Sequence, residues 1–516
     1  MTAPTEAPAG PALYRHADAT PDRVALVLGT RTASYRELAD RATRLANLLT
    51  ARGLVPGDAV ALLSEPSVRY HEVVWACRIG GFSYTTVSTQ LGADEVRYIL
   101  SDSGAAALIL SAGVRAAADL AADVPDTVRH RLVQRGQLPG FEDYDEALHG
   151  ASTQRIARGP EGLLLQYSSG TTGRPKGIVR DVRADMAGVD IGAALTMLLG
   201  IPEGGVYLSP APLYHTAPVT WTTACLSRGC TVVLMGKFDA EECLRLIQDH
   251  RITHAQFVPT MFVRMLKLDE QVCAGYDVSS LVGVVHAAAP CPVDIKRRMI
   301  EWWGPIVFEY WSSSEGAGFT WITAQEWLAH PGSVGRALMG TIHVCDEEGT
   351  ELPAGSEGVL WAEMSGGYHY LNDPDKDRAT THPQGWRTVG DIGRFDDEGY
   401  LYLTDRAAFM IISGGVNIYP QESENVLIEH PAVLDVAVIG IPNEEMGEEV
   451  RAVVQPMTWD AAGPELEAEL MAFCRERLAP YKCPKRIDFL AELPRSDTGK
   501  LFKRQLRDSY RTGATA

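Results

Sequence analysis

Short apolar runs alternate with amphipathic stretches through much of the chain. Val24–Leu28 and Ala59–Leu63 are apolar runs of strand length and composition. Between them, Leu38, Ala42, Leu45 and Leu49 recur at helical spacing behind Ser34, a residue suited to an N-cap, and Gly53 ends the run. The alternation returns in Thr231–Leu234, in a helical pattern over 240–250, and in a strand over 255–258. A parallel strand pair needs a crossover long enough to hold a helix, so this order predicts an α/β fold with doubly wound sheets.

From residue 333 to 403 the texture changes to short strands separated by Glu348-Gly349, Ala354-Gly355 and Glu398-Gly399, which predicts a smaller β-rich subdomain. Past Arg406, apolar strands over 436–441, 452–454 and 487–490 surround a helical pattern over 465–478, an α+β unit. No internal repeat is visible, and no apolar run approaches the roughly 20 residues that span a bilayer.

Composition narrows the picture. The chain has 516 residues, enough for about three to four structural units by ordinary domain size. Its formal net charge of −19 disfavours broad nucleic-acid or anionic-membrane binding while leaving room for a local basic pocket. Nine cysteines show neither C-x-x-C pairs nor a disulfide-rich spacing, so they read as scattered thiols. The first twelve residues lack both a basic start and an apolar core, unlike a signal peptide, and a cytoplasmic location is expected.

The candidate chemistry begins directly after the apolar run Leu163-Leu164-Leu165, in Tyr167-Ser168-Ser169-Gly170-Thr171-Thr172-Gly173-Arg174-Pro175-Lys176-Gly177. Glycines admit an anion to backbone N–H groups, hydroxyls add donors, and two cations supply charge, so the stretch suits a polyphosphate. It is not a P-loop of the form G-x-x-x-x-G-K-[ST]. Counted from Gly170, Pro175 stands in place of the second glycine and Gly177 in place of the metal-binding hydroxyl.

Further motifs follow in order: Pro212-Leu213-Tyr214-His215, then Tyr310-Trp311-Ser312-Ser313-Ser314-Glu315-Gly316, then Gly385-Trp386-Arg387-Thr388-Val389-Gly390-Asp391. Thr404-Asp405-Arg406, Ile412-Ser413-Gly414-Gly415 and Pro494-Arg495-Ser496-Asp497-Thr498-Gly499-Lys500 complete the set. The whole resembles the adenylate-forming superfamily, which includes acyl-CoA synthetases, luciferases and peptide-synthetase adenylation domains, over nearly the full chain.

That resemblance implies activation of a carboxylic acid by ATP as an acyl-adenylate, pyrophosphate release, and transfer to the thiol of CoA. It implies an N-terminal domain over 1–405 and a mobile C-terminal domain over 406–516, hinged near 405–408. Ser168, Ser169, Gly170, Thr171, Thr172, Gly173 and Lys176 would cradle phosphates, and Glu315 would hold Mg²⁺. Ala288, Glu309, Tyr310, Trp311 and Ser312 would line the nucleotide, with Asp391 and Arg406 at the ribose. Lys500 would reach the α-phosphate and the reacting carboxylate. His215 and Ser314 join it as catalytic candidates, and Gly414 and Gly415 would border the CoA arm. Trp221, Phe257, His286, Trp311 and Ser312, with His215, are the implied acid-pocket residues, which suit a compact or ring-bearing acid. Phe319 and Trp321 are candidates for the same pocket.

Taken singly, Asp391 is as well an ordinary turn residue, Glu315 a solvated carboxylate and Lys500 a surface lysine. Their joint order reverses that reading. Three positions depart from the commoner pattern: Ser312 where Gly or Ala is usual, Ser314 where Thr is usual, and Ala408 at the hinge. The loop His286-Ala287-Ala288-Ala289-Pro290 also carries alanines where many relatives have glycines. Those alanines are compatible with a flat base, whereas Ala408 and the sharing of the Ser413-Gly414-Gly415 loop with relatives that use other acceptors keep open an amine, a carrier-protein thiol or nitrite in place of CoA. A non-catalytic nucleotide-binding relative is a separate alternative. The expected partners are the acid and ATP, with no nucleic acid and no membrane span. A homodimer is admitted by these features without being required.

Overall fold

The structure, a computed structural model, describes residues 11–156, 161–168, 175–180, 191–346, 348–364, 366–406, 409–413, 416–443, 446–495 and 501–511. Its contacts gather into two units. The first comprises Met1–Gln256, Ala274–Val284 and Gly366–Asp377, and the second Phe257–Cys273, Val285–Ser365 and Arg378–Ala516.

The first unit is α/β, as the alternating pattern predicts. One sheet runs Ser83–Thr86, Ala59–Leu63, Ala107–Ser111, His130–Gln134 and Glu142–Asp143, with every neighbour parallel. Its strands Ala59–Leu63 and Ala107–Ser111 are buried throughout, which is why they read as continuous apolar runs instead of alternating ones. A second set of strands places Val24–Leu28 and Val206–Ser209 parallel to Thr231–Leu234, with Arg31–Ser34 added antiparallel at the edge.

Ser34 caps the helix Tyr35–Ala51 as expected. Its hydroxyl accepts from the Glu37 N–H while the Glu37 carboxylate accepts from the Ser34 N–H, and Leu38, Ala42, Leu45 and Leu49 are the buried stripe. The strand expected over 255–258 lies instead at His254–Phe257. Val258 becomes the N-cap of the helix Pro259–Leu266, because Pro259 has no N–H for a ladder and its fixed φ suits the first helical turn.

In the second unit, the β-rich subdomain is a four-stranded antiparallel sheet, Thr341–Cys345, Gly358–Glu363, Asp391–Phe395 and Leu401–Arg406. The turns foreseen at Gly349, Gly355 and Gly399 all carry positive φ there. Nearer the C-terminus, Val433–Asn443 and Gly447–Pro456 form a long antiparallel pair, with Arg486–Phe489 parallel to the second strand. Both strands outrun their apolar centres, since Glu448, Glu449 and Arg451 continue the ladder with polar side chains. The helix expected over 465–478 is Pro464–Arg477. All nine cysteines are free, and among the described residues no helix is long and apolar enough to cross a membrane.

His71, on the helix Tyr70–Gly80, is fully buried, and neither ring nitrogen has a hydrogen-bond partner. Burial pushes its pKa down to about 3. The folded pKa lies below the unfolded value of about 6.5, so the stability it confers is complete above that pH and is lost as pH falls towards 3. Between pH 6.5 and 5 the loss should be about 2 kcal/mol, and His71→Leu should flatten that part of the curve. Denaturant unfolding of both proteins at pH 7.5, 6 and 5 checks this. Parallel curves for the two would show that the histidine is hydrated or paired.

Candidate active site

The first unit carries the phosphate-loop motif. Leu163-Leu164-Leu165 joins the edge of the parallel sheet, with Leu165 N–H donating to Tyr84 O at 2.8 Å and Tyr84 N–H donating to Leu163 O at 2.9 Å. The chain then forms an antiparallel hairpin, Gln166–Ser168 against Lys176–Arg180, in which Ser168 faces Lys176 directly. Ser169, Gly170, Thr171, Thr172 and Gly173 lie between these two strands, outside the described residues.

The hairpin base is firmly held. Tyr167 hydroxyl donates to Asp102 Oδ2 at 2.7 Å, and Asn372 Nδ2 donates to Asp102 Oδ1 at 3.1 Å. Gly177 is needed opposite Tyr167, since a Cβ there would lie 3.0 Å from the tyrosine ring. The Lys176 ammonium lies 3.9 Å from Asp373 Oδ2 and 5.8 Å from the Tyr370 ring centroid, and its side chain is largely buried. An ammonium held in this way is a fixed point charge.

His215 is brought to the same hairpin. The carbonyl of Tyr214 accepts from Thr86 Oγ1 at 3.0 Å and from Gln166 Nε2 at 3.5 Å. His215 is the N-cap residue of the helix Thr216–Ser227, half-buried, with its ring 4.5 Å from that of Tyr214. Trp221, on that helix, is fully buried and stacks on Tyr207 at 6.4 Å.

The second unit carries the other described candidates. The segment after Val307–Glu309 folds back through a turn onto Phe319–Trp321, with bridges Glu309 to Ile322 and Ser312 to Phe319. Gly316 and Gly318, both with positive φ, make the turn. Ser312, the departure from Gly or Ala, donates its hydroxyl to Gly318 O at 3.0 Å and so braces the turn. Ser314 and Glu315 sit on this turn, both half-buried. Tyr310 stacks on Phe319 at 5.5 Å. Trp311 donates its indole N–H to Asp391 Oδ2 at 2.8 Å, a buried bond across 80 positions of sequence. Asp391 opens its strand directly opposite Arg406 in register, and the Arg406 side chain lies outside what is described.

Phe257 packs with Phe262 and Trp303 at centroid distances of 5.5 and 5.6 Å, and the Phe262 ring meets His286 edge-on at 5.4 Å. After His286, Ala288 has φ +76°, a left-handed conformation that costs a residue with a Cβ on the order of 1 kcal/mol. Ala288 thus stores strain where glycine would not.

One participant escaped sequence reading. Lys296 is fully buried, and its ammonium donates to Glu309 Oε2 at 2.6 Å, while His286 Nε2 lies 3.4 Å from the same oxygen. Burial pushes the lysine down and the carboxyl up, each partly restored by the other's charge. Burial, then Lys296, holds His286 well below its usual value, so its ring is neutral. The signal was present: Lys296 falls on the buried stripe of the helix Val293–Trp303 with Met299, Ile300 and Trp303, and a cation in an apolar stripe demands a buried anion. Gly414, Gly415 and Lys500 lie outside the described residues.

Two family profiles match the chain, that of the AMP-binding enzymes over residues 13–368 and that of the AMP-binding enzyme C-terminal domain over 422–500. This chain belongs to the AMP-binding enzymes. It is 33% identical over 484 residues to the long-chain-fatty-acid–CoA ligase FadD13 of Mycobacterium tuberculosis, covering 92% of this chain and 93% of that one. To the 2-succinylbenzoate–CoA ligase of Bacillus licheniformis it is 32% identical over 503 residues, 96% and 98% of the two chains. Among solved structures, the o-succinylbenzoate CoA synthetase of Bacillus subtilis in complex with its acyl-adenylate intermediate matches with a TM-score of 0.80 and 27% identity, over 97% and 99% of the two chains. The expectation of an AMP-forming, acyl-CoA synthetase-like ligase is borne out, with ATP, Mg²⁺ and CoA as its cofactors.

This AMP-binding enzyme has an oxygen donor set that fits Mg²⁺. Glu315 stands on a turn with the hydroxyls of Ser313 and Ser314, and no cluster of three metal-type ligands occurs among the described residues. Mg²⁺ is ordinarily held by one or two carboxylates and substrate phosphates without an all-protein cage, so a lone carboxylate suffices.

Proposed function

We propose that this enzyme activates a carboxylic acid with ATP and passes the acyl group to CoA in two steps. A carboxylate oxygen attacks the α-phosphorus, forming a C–O–P link and expelling pyrophosphate. The CoA sulfur then attacks the acyl carbon, its proton passes to solvent, and AMP leaves with the C–O bond electrons. The observation that carries the reading is the motif set in family order on a chain that both profiles match.

The residues divide the work. Thr171, Thr172 and Lys176 hold the β and γ phosphates, and Ser168, Ser169, Gly170 and Gly173 shape their loop. Asp391, with Arg406, takes the ribose hydroxyls, while Ala288, Tyr310, Trp311 and Ser312 border the base and the acyl-phosphate. Glu309, engaged by Lys296, supports that loop from beneath. Glu315 ligates Mg²⁺, which when bound offsets negative charge on the phosphates. Lys500 stabilises charge on the α-phosphate, aided by Ser314, and His215 faces the acid's carboxylate. Gly414 and Gly415 admit the thiol arm after the 406–516 domain turns about 405–408. The aromatic residues Trp221, Phe257 and Trp311, with His286, favour a compact or ring-bearing acid. We place the enzyme in the cytoplasm and allow a homodimer.

Pyrophosphate release measured against a panel of carboxylic acids, with and without CoA, tests the reading. Acid-dependent release with thioester formation supports it. Acid-dependent release without thioester would point to another acceptor, and release unaffected by any acid would point to a nucleotide-binding protein with idle hydrolysis.

Glu315→Gln is expected to raise the Mg²⁺ concentration for half-maximal activity severalfold, because a hard cation prefers an anionic oxygen. An unchanged metal titration would reduce Glu315 to a turn residue.

A further inference from the structure

We infer that Trp311 is a positioning residue for ribose recognition, its indole N–H setting the orientation of the Asp391 carboxylate. The inference rests on the proposed contact of Asp391 with the ribose hydroxyls. A carboxylate's last torsion is broad, so an aspartate that must meet two neighbouring hydroxyls gains from a fixed partner. The indole is a donor only, so the bond has one direction and leaves the carboxylate with further lone pairs to offer. Both residues are nearly buried, 8% and 6% exposed, which strengthens a charge-assisted bond.

Trp311 is itself immobilised. Its N–H donates to Thr320 Oγ1 at 3.2 Å, its carbonyl accepts from Thr320 N–H at 3.0 Å, and Thr320 Oγ1 donates to Val334 O at 2.6 Å. The ring packs among Val334, Ile342, Val344, Leu360 and Leu401. Gly318 gives it space, since a Cβ there would stand 2.8 Å from Cζ3. Asp391 is fixed from the other side: Gly390 N–H donates to Thr388 Oγ1 at 3.0 Å, and that hydroxyl donates to Leu360 O at 2.7 Å. Leu360 thus joins both supports, packing on the indole and accepting from the turn before the aspartate.

The test compares ATP with 2′,3′-dideoxy-ATP in acid-dependent pyrophosphate release by the wild type, Asp391→Asn and Trp311→Phe. Phenylalanine keeps an aromatic ring in the cluster and removes the donor together with the second ring, so the ratio of KM values, and not either value alone, carries the test. The preference for ATP, taken as the ratio of the two KM values, should collapse in Asp391→Asn and shrink roughly tenfold in Trp311→Phe, the loss of one hydrogen bond to a charged group. A purely structural effect of Trp311→Phe would raise both KM values together and leave the ratio intact, which overturns the inference. Full preference in Asp391→Asn would instead overturn the ribose reading itself. A second measurement needs no change at Trp311: the ¹⁵N-indole proton resonance of Trp311 should move upfield in Asp391→Asn, and an unmoved resonance refutes the bond.

Discussion

Lys500→Ala is expected to slow adenylate formation by roughly 10²–10³-fold while leaving ATP affinity and folding nearly unchanged. One preorganised charge aimed at the reacting phosphate is typically worth about 3 kcal/mol or more in the transition state. The residues on either side of its motif loop are pinned. Phe502 N–H donates to Pro494 O at 2.8 Å, Arg495 bridges to Leu501, and the Arg495 guanidinium forks onto Asp435, with Nη2 to Oδ1 at 2.7 Å. Pyrophosphate exchange by the variant decides the matter: exchange near the wild-type rate would remove Lys500 from the first half-reaction.

The second large effect is on stability. Lys296→Met should cost about 3–5 kcal/mol, because it strands the buried Glu309 carboxylate without its cation, whereas Lys296→Met with Glu309→Leu should recover most of that loss. Denaturant midpoints of the single and double variants check it. If the single variant unfolds with the wild type, the pair is not isolated from solvent. The same change should raise KM for ATP, since Glu309 opens the segment whose next residue, Tyr310, donates its N–H to His286 O at 3.3 Å.

Much of the architecture was legible because its signals are local. The strands Val24–Leu28 and Ala59–Leu63 and the capped helix Tyr35–Ala51 stand where periodicity put them. Errors fell where a neighbour rules the outcome. The strand near 255 stops one residue early because Pro259 starts a helix, and Val433–Asn443 exceeds its apolar centre because a partner strand carries the ladder onward. At the site, the motifs were readable as residue types in order, and the profiles place them in the AMP-binding family.

Local residue patterns suffice for the alternation of strand and helix, for the turns at Gly349, Gly355 and Gly399, and for the chemical inventory: hydroxyls and cations in a glycine-rich stretch, one carboxylate behind three serines, and a lysine near the end. Each depends on residues a few positions apart, where propensity, capping and turn chemistry act. Packing of the folded chain is what pairs Trp311 with Asp391 and Lys296 with Glu309 beside His286, moors Tyr167 to Asp102, and gives Ala288 its left-handed backbone. The side-chain pairs are separated by 13 to 80 positions. Their formation depends on which faces are buried together, since it is burial that forces each polar group to find a partner and holds the strained residue in place.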